Sequence, residues 1–200
     1  MVVIQEWWGL VPQIEATCDR FAAAGFTALA PDLYHGTTVP LTEPDGAAQA
    51  MMRLKVDDAA AELSGAVDEL VTRTGMGRVG VVGYCMGGGL ALVLATRRPD
   101  AVAAVVPCYG VHPWSEGDPD YSQMAAAAQI HAAADDGSFP PSAATELAEH
   151  LRSRGLEAEC HVYEGTGHAF ANEDRPEVYD PNAAAEMFER TVGFLRSHLS

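Results

Sequence analysis

The stretch RVGVVGYCMGG, residues 78–88, joins a continuous apolar segment to a glycine-rich turn, and a helical pattern follows over residues 86–96. This order is typical of a nucleophile elbow, a strained strand-to-helix turn of G-x-S-x-G type, with Cys85 in the place of serine. Gly83 and Gly87 are small enough for the strand and the helix to approach closely. The helix N-terminus favours a thiolate and aims the Met86 N–H at a developing oxyanion. A buried, inert cysteine or a phosphate-binding turn is the alternative, although neither G-x-G-x-x-G nor G-x-x-x-x-G-K is present.

Strand and helix patterns alternate along the chain, which predicts one α/β domain over residues 1–200. Continuous apolar strands between helices predict a mostly parallel sheet covered on both faces, with chemistry at the carboxyl ends of the strands. We expect a loop over residues 32–46. Strands are predicted at residues 1–5, 26–30, 78–82, 101–109, 129–133 and 159–163, and helices at residues 12–24, 47–73, 86–96, 141–154 and 181–198.

The charge balance argues against polyanionic partners. The chain has 12 basic and 28 acidic residues, a formal net charge of −16, and Lys55 is its only lysine. Nucleic acid and anionic membrane surfaces attract proteins through Lys and Arg, so neither is an expected partner. No apolar run approaches the roughly 20 residues of a membrane helix, and no signal-peptide pattern is present. Four scattered cysteines without a C-x-x-C pair indicate neither a disulfide framework nor a zinc site. We expect a soluble, cytoplasmic protein.

Two further strand ends carry groups suited to catalysis with a thiol. His168 follows the predicted strand at residues 159–163 and is a candidate base, although a lone loop histidine is more often a surface residue. Asp135 and Asp136 follow the predicted strand at residues 129–133, and either could orient the imidazole or simply cap a turn. The chain order of nucleophile, acid and histidine is the order found with such elbows.

Glu6 ends the first predicted strand and is followed by Trp7 and Trp8. Beside two tryptophans this carboxylate could be partly desolvated, with a raised pKa suited to proton transfer. The alternative is that both tryptophans are core aromatics and Glu6 faces water.

Four motifs together resemble the dienelactone hydrolase family, the cysteine-nucleophile members of the α/β-hydrolase fold. They are QEWWG at residues 5–9, APDLY at 30–34, GYCMGG at 83–88 and GTGHAF at 165–170. The resemblance spans nearly the whole chain. It implies hydrolysis of a small ester or lactone by a Cys, Asp, His triad, with no metal and no cofactor.

The resemblance assigns a role to each matching position. Cys85 matches the nucleophile and His168 the base, while Glu6 matches a glutamate that holds and activates the thiol. The family pattern D-x-x-x-P selects Asp136, four residues before Pro140, as the acid. The backbone N–H groups of Trp7 and Met86 match the oxyanion hole. The side chains expected to contact substrate are Trp8, Tyr34, Tyr84, Phe170 and Asn172.

Two departures from the family pattern shape the remaining expectations. The archetype binds a substrate carboxylate with arginines, one of them four residues after the histidine, where this chain has Asn172. We therefore expect largely uncharged substrates; if a carboxylate is preferred, Arg53 and Arg175 are the first arginines to consider. Relatives also carry early antiparallel strands ahead of the strand that bears the first motif, and these strands are predicted to be missing because this chain begins inside that strand. The protein is expected to be a monomer or a homodimer.

Alternative functions remain open at this point. The first is a carboxylesterase or thioesterase with broad specificity for small acyl groups. The second is a non-catalytic, ligand-binding member of the fold. A redox sensor built on Cys85 is a third, weakened by the lack of a neighbouring resolving cysteine.

Overall fold

Five parallel strands form one sheet in the computed structural model, which describes residues 1–199. They lie side by side in chain order: β1 (Val2–Ile4), β2 (Val79–Tyr84), β3 (Val102–Cys108), β4 (Ala127–Asp135) and β5 (Ala158–Gly167). Every residue of β1, β2 and β3 is buried, so both faces of this part of the sheet are covered. The predicted α/β fold with a parallel sheet is confirmed, and the carboxyl ends of all five strands meet at one edge.

Six helices surround the sheet: α1 (Pro12–Ala23), α2 (Pro44–Arg53), α3 (Val56–Thr74), α4 (Met86–Arg97), α5 (Pro141–Ser153) and α6 (Pro181–Leu199). Proline begins α1, α2 and α5, where its fixed φ suits the first turn and no N–H is lost. The first eleven residues of α4 are all buried, as expected for a helix that is apolar on every side. Each helix within residues 1–199 is too short or too polar to cross a membrane.

The prediction of a buried strand at residues 26–30 is wrong. Only Leu29 bridges to the sheet, through hydrogen bonds with the backbone of Met1 and Val3, and Thr27 is exposed. The segment lies beside the edge strand β1 and ends at Pro31, which has no N–H with which to extend a ladder.

The single helix predicted at residues 47–73 is two helices. Leu54 and Lys55 adopt extended ψ angles of 123° and 122°, which separate α2 from α3. The apolar pattern continues through this break without glycine or proline, so periodicity did not reveal it. Because α2 begins at Pro44, the predicted loop at residues 32–46 is also three residues too long at its end.

Candidate active site

Cys85 occupies the turn between β2 and α4, with a φ of 53° and a ψ of −118° that few non-glycine residues adopt. Two glycines make this turn possible. A Cβ on Gly83 would lie 2.0 Å from the carbonyl oxygen of Gly87, and a Cβ on Gly87 would lie 2.5 Å from the carbonyl oxygen of Gln5. The Cys85 carbonyl accepts hydrogen bonds from two backbone N–H groups, those of Gly88 and Val111, which hold the strained turn in place.

The two N–H groups predicted to form an oxyanion hole come from adjacent elements. Met86 is the first residue of α4, and Trp7 lies shortly after β1, whose residue Ile4 pairs with Gly83 of β2. Within residues 1–199 neither N–H donates a hydrogen bond to a protein acceptor. Trp7 lines the same cavity as Cys85, whereas Met86 is buried and is not among the lining residues.

His168 and Asp136 come together because β4 and β5 are neighbours. Asp135 and Gly167, the last residues of β4 and β5, pair in the sheet register, so the two residues that follow them, Asp136 and His168, begin side by side. His168 Nδ1 lies 2.7 Å from Asp136 Oδ2. The buried Asp136 carboxylate also accepts hydrogen bonds from the backbone N–H groups of Ser138 and Phe139. Asp135 is exposed, so the structure gives His168 the carboxylate partner that the proline spacing selected.

The environment of the imidazole favours its charged form. Burial by itself would lower the pKa of His168, but the Asp136 hydrogen bond and the nearby Cys85 sulfur raise that pKa to about 10. Burial would raise the pKa of Asp136, but hydrogen bonds from His168 and from two backbone N–H groups lower it. Both shifts favour the same form of the pair, an imidazolium beside a carboxylate.

Cys85 and His168 face the same cavity, which has a volume of about 640 Å³. Among residues 1–199, the His168 ring is hydrogen-bonded to Asp136, and no hydrogen bond joins this ring to Cys85 Sγ. The cavity walls are Trp7, Met51, Cys85, Val111, His112, Pro113, Asp135, Ser138, Gly167, His168, Arg175 and Val178.

Glu6 is 2% exposed and lies two residues after β1. Asn172 Nδ2 donates a hydrogen bond of 2.8 Å to Glu6 Oε2, and the Tyr109 hydroxyl lies 3.4 Å from Glu6 Oε1. Burial raises the pKa of Glu6, and the Asn172 hydrogen bond and the charges of His168 and Arg175 oppose that rise in part. Glu6 is thus the desolvated carboxylate that its tryptophan neighbours indicated, but its hydrogen bonds within residues 1–199 do not reach Cys85.

The five residues predicted to contact substrate do not line this cavity. Trp8, Tyr84, Phe170 and Asn172 are each at most 5% exposed, and the Tyr34 hydroxyl lies 3.4 Å from the sulfur of Met86. Large apolar side chains next to the catalytic motifs pack into the core beneath the site.

Sequence reasoning missed most of the walls of the cavity. Met51 comes from α2, Val111 and His112 come from the segment after β3, and Val178 comes from the segment before α6. None of them belongs to a motif, and only the length of these connecting segments hinted at a role. Arg175 does line the cavity, whereas Arg53 lies in grooves elsewhere.

No group of three or more histidine, cysteine, aspartate or glutamate side chains within residues 1–199 is arranged to hold a metal ion.

A parallel sheet with a cysteine elbow after β2 and a histidine after β5 defines an α/β-hydrolase fold. The sequence profile of the dienelactone hydrolase family matches residues 1–199. The chain belongs to the dienelactone hydrolase family of carboxylic ester hydrolases.

Individual relatives agree with this assignment. "Protein usf" of Aquifex pyrophilus is 34% identical over all of this chain and 88% of its own length. The "Putative carboxymethylenebutenolidase" of Aquifex aeolicus is 31% identical, with the same coverage of both chains. Among solved structures, the dienelactone hydrolase-like promiscuous phosphotriesterase P91 from metagenomic libraries superposes with a TM-score of 0.84. It is 20% identical, and the match covers 100% of this chain and 86% of that one, a similarity that concerns the fold.

Proposed function

We propose that the protein hydrolyses small esters or lactones, with Cys85 as the nucleophile, His168 as the general acid and base, and Asp136 as the carboxylate that orients the imidazole. The observation that carries the proposal is the elbow cysteine opening onto the same cavity as a histidine whose Nδ1 is held 2.7 Å from a buried carboxylate. Because Nδ1 is occupied by Asp136, Nε2 is the ring nitrogen left to exchange a proton with Cys85 and with substrate.

The chemistry proceeds in two half-reactions. The Cys85 thiolate attacks the carbonyl carbon, and the carbonyl electron pair moves onto oxygen, where the N–H groups of Trp7 and Met86 stabilise it. Collapse of this intermediate breaks the bond to the alcohol oxygen, which takes a proton from His168, and leaves a thioester on Cys85. Water then attacks the thioester while His168 accepts its proton. The second collapse releases the carboxylic acid and restores the thiolate.

Glu6 is proposed to hold and activate the thiol when substrate enters the cavity. Its burial and its raised pKa support a role in proton exchange close to the site. Glu6 directly precedes Trp7, which lines the cavity, and is itself not among the lining residues, which supports an action on the thiol from outside the cavity.

The substrate is proposed to be small and largely uncharged. Apolar side chains such as Met51, Val111 and Val178 form part of the cavity wall. Arg175 is the cation best placed to attract a carboxylate, but its Nε lies 2.9 Å from Glu177 Oε1, and Asp135 stands in the same wall. With a net charge of −16 on the chain, these carboxylates oppose selection of an anionic substrate.

The same charge supports a small molecule, rather than nucleic acid or an anionic membrane surface, as the partner. We further propose that the protein acts in the cytoplasm as a monomer or homodimer. Size-exclusion chromatography with light scattering tests the oligomeric state.

Hydrolysis of p-nitrophenyl acetate tests the proposed function. We expect turnover by the unaltered protein and loss of nearly all turnover in Cys85→Ala and in His168→Ala. Cys18→Ala is the matched control, because burial raises the pKa of that thiol to about 11 and it lies on α1. Full activity in Cys85→Ala would exclude the mechanism, and absence of hydrolysis across esters, lactones and thioesters would favour a ligand-binding role. Comparable rates across that panel would favour a broad acyl esterase or thioesterase.

A further inference from the structure

Asn172 is 1% exposed and makes contacts that fix both ends of its side-chain amide. The backbone N–H of Asp174 donates to Asn172 Oδ1 at 3.1 Å, which identifies the amide oxygen. The amide nitrogen therefore faces Glu6, and Nδ2 donates to Glu6 Oε2 at 2.8 Å. This side chain does not reach the cavity, so direct substrate contact does not explain its place.

We propose that Asn172 is a positioning residue that holds the Glu6 carboxyl group in place behind the hydrolytic site and favours its ionised form. The inference rests on the proposed function, because it assumes that the state of Glu6 matters to hydrolysis. Asn172 lies four residues after His168, and Glu6 directly precedes Trp7, so this one hydrogen bond joins the segments that carry the base and an oxyanion donor.

A neutral donor suits this position. Burial favours the uncharged form of Glu6, and a hydrogen bond donated to the carboxylate favours the charged form without adding a titrating group. The other groups that act on Glu6 or respond to it are the cations His168 and Arg175, the Tyr109 hydroxyl that donates to Oε1, and the buried acids Tyr84 and Cys108. Asn172 makes the shorter of the two side-chain hydrogen bonds to Glu6, so its removal should have the larger effect.

Two nearly isosteric substitutions separate positioning from packing. In Asn172→Asp, a protonated carboxyl can donate to Glu6 Oε2 at low pH, whereas two ionised carboxylates repel each other at high pH. The kcat of this variant relative to the unaltered protein should therefore rise roughly tenfold or more between about pH 8 and about pH 5. Asn172→Leu has no donor, so its relative kcat should be low at every pH.

Asn182→Asp is the matched control, because Asn182 is the other asparagine of the chain and is exposed on α6. Its relative kcat should not vary with pH. Thermal unfolding of each variant shows whether lost activity reflects lost structure. If neither variant at position 172 folds, the double variant Glu6→Gln with Asn172→Asp restores a hydrogen bond between the two side chains but moves the negative charge from position 6 to position 172. We then expect a folded protein whose kcat is at least roughly tenfold below that of the unaltered protein.

Three outcomes would overturn the inference: Asn172→Leu with unaltered kcat, a relative kcat of Asn172→Asp that does not change with pH, or an exchange variant with full kcat. Cys85→Ala is measured in the same assay. If Cys85→Ala keeps full turnover, the proposed function fails; if it is inactive while any of these outcomes holds, the role of Asn172 alone is wrong.

Discussion

Replacing Asp136 by asparagine removes the negative charge beside the His168 ring and changes the side-chain volume little. Burial by itself would lower the His168 pKa, but Asp136 and Cys85 raise it from 6.5 to about 10 and so favour the imidazolium. A hydrogen bond to a charged group contributes about 1.5–3 kcal/mol. In the second half-reaction the ring, neutral after protonating the alcohol, becomes imidazolium again as it accepts the proton of water, so the loss corresponds to roughly a 10- to 150-fold lower kcat.

Asp135→Asn provides the matched control. Asp135 carries the same charge one residue earlier and lines the cavity, but it is exposed, and among residues 1–199 the ring is hydrogen-bonded to Asp136 and not to Asp135. Steady-state hydrolysis of p-nitrophenyl acetate by both variants, with thermal unfolding to check the fold, should give a large loss for Asp136→Asn and less than about a twofold change for Asp135→Asn. More than half of the normal kcat in Asp136→Asn, or equal losses in both variants, would refute the assigned pairing.

Three further predictions concern the elbow, the pH dependence of stability and the cavity charge. Gly83→Ala should lower the thermal midpoint sharply because its Cβ would meet backbone at 2.0 Å, whereas Gly65→Ala in α3 has open space and should be neutral or stabilising. Buried His131 has a pKa well below 6.5, so only the unfolded chain takes up its proton; the unfolding free energy from urea titrations should fall as pH drops below about 6.5, and less steeply in His131→Gln. Arg175→Gln should change KM for a neutral ester by less than about twofold; a large rise in KM confined to carboxylate-bearing esters would show that Arg175 selects anions.

The sheet and the elbow could be predicted because their signals are local. The apolar run at residues 79–82 is short, rich in valine and followed by a glycine-rich turn, which favours a buried strand, and Gly83 and Gly87 on either side of Cys85 indicate a tight turn. Strand order brought both Asp135 and Asp136 close to His168, and the pattern D-x-x-x-P of the family that the chain resembles selected Asp136. Each of these features depends on residues within a few positions of one another, or on the rule that neighbouring parallel strands end at one edge.

The break between α2 and α3 and the inward packing of Phe170 could not be predicted in the same way. Both depend on tertiary packing, since Leu54 and Lys55 differ little in sequence from helical neighbours, and an aromatic residue beside a catalytic motif suits a cavity as well as a core. Asn172 shows the same limit, because its partner Glu6 is 166 residues away along the chain.

Alkylation with iodoacetamide, followed by peptide mass mapping and by activity, tests the role of Cys85 most directly. Burial raises the pKa of Cys18, Cys108 and Cys160, so these three thiols should react slowly. We expect the loss of esterase activity to match the fraction of Cys85 alkylated, one to one, and a competing substrate to slow both. Complete alkylation of Cys85 with activity retained would contradict its assignment as the nucleophile.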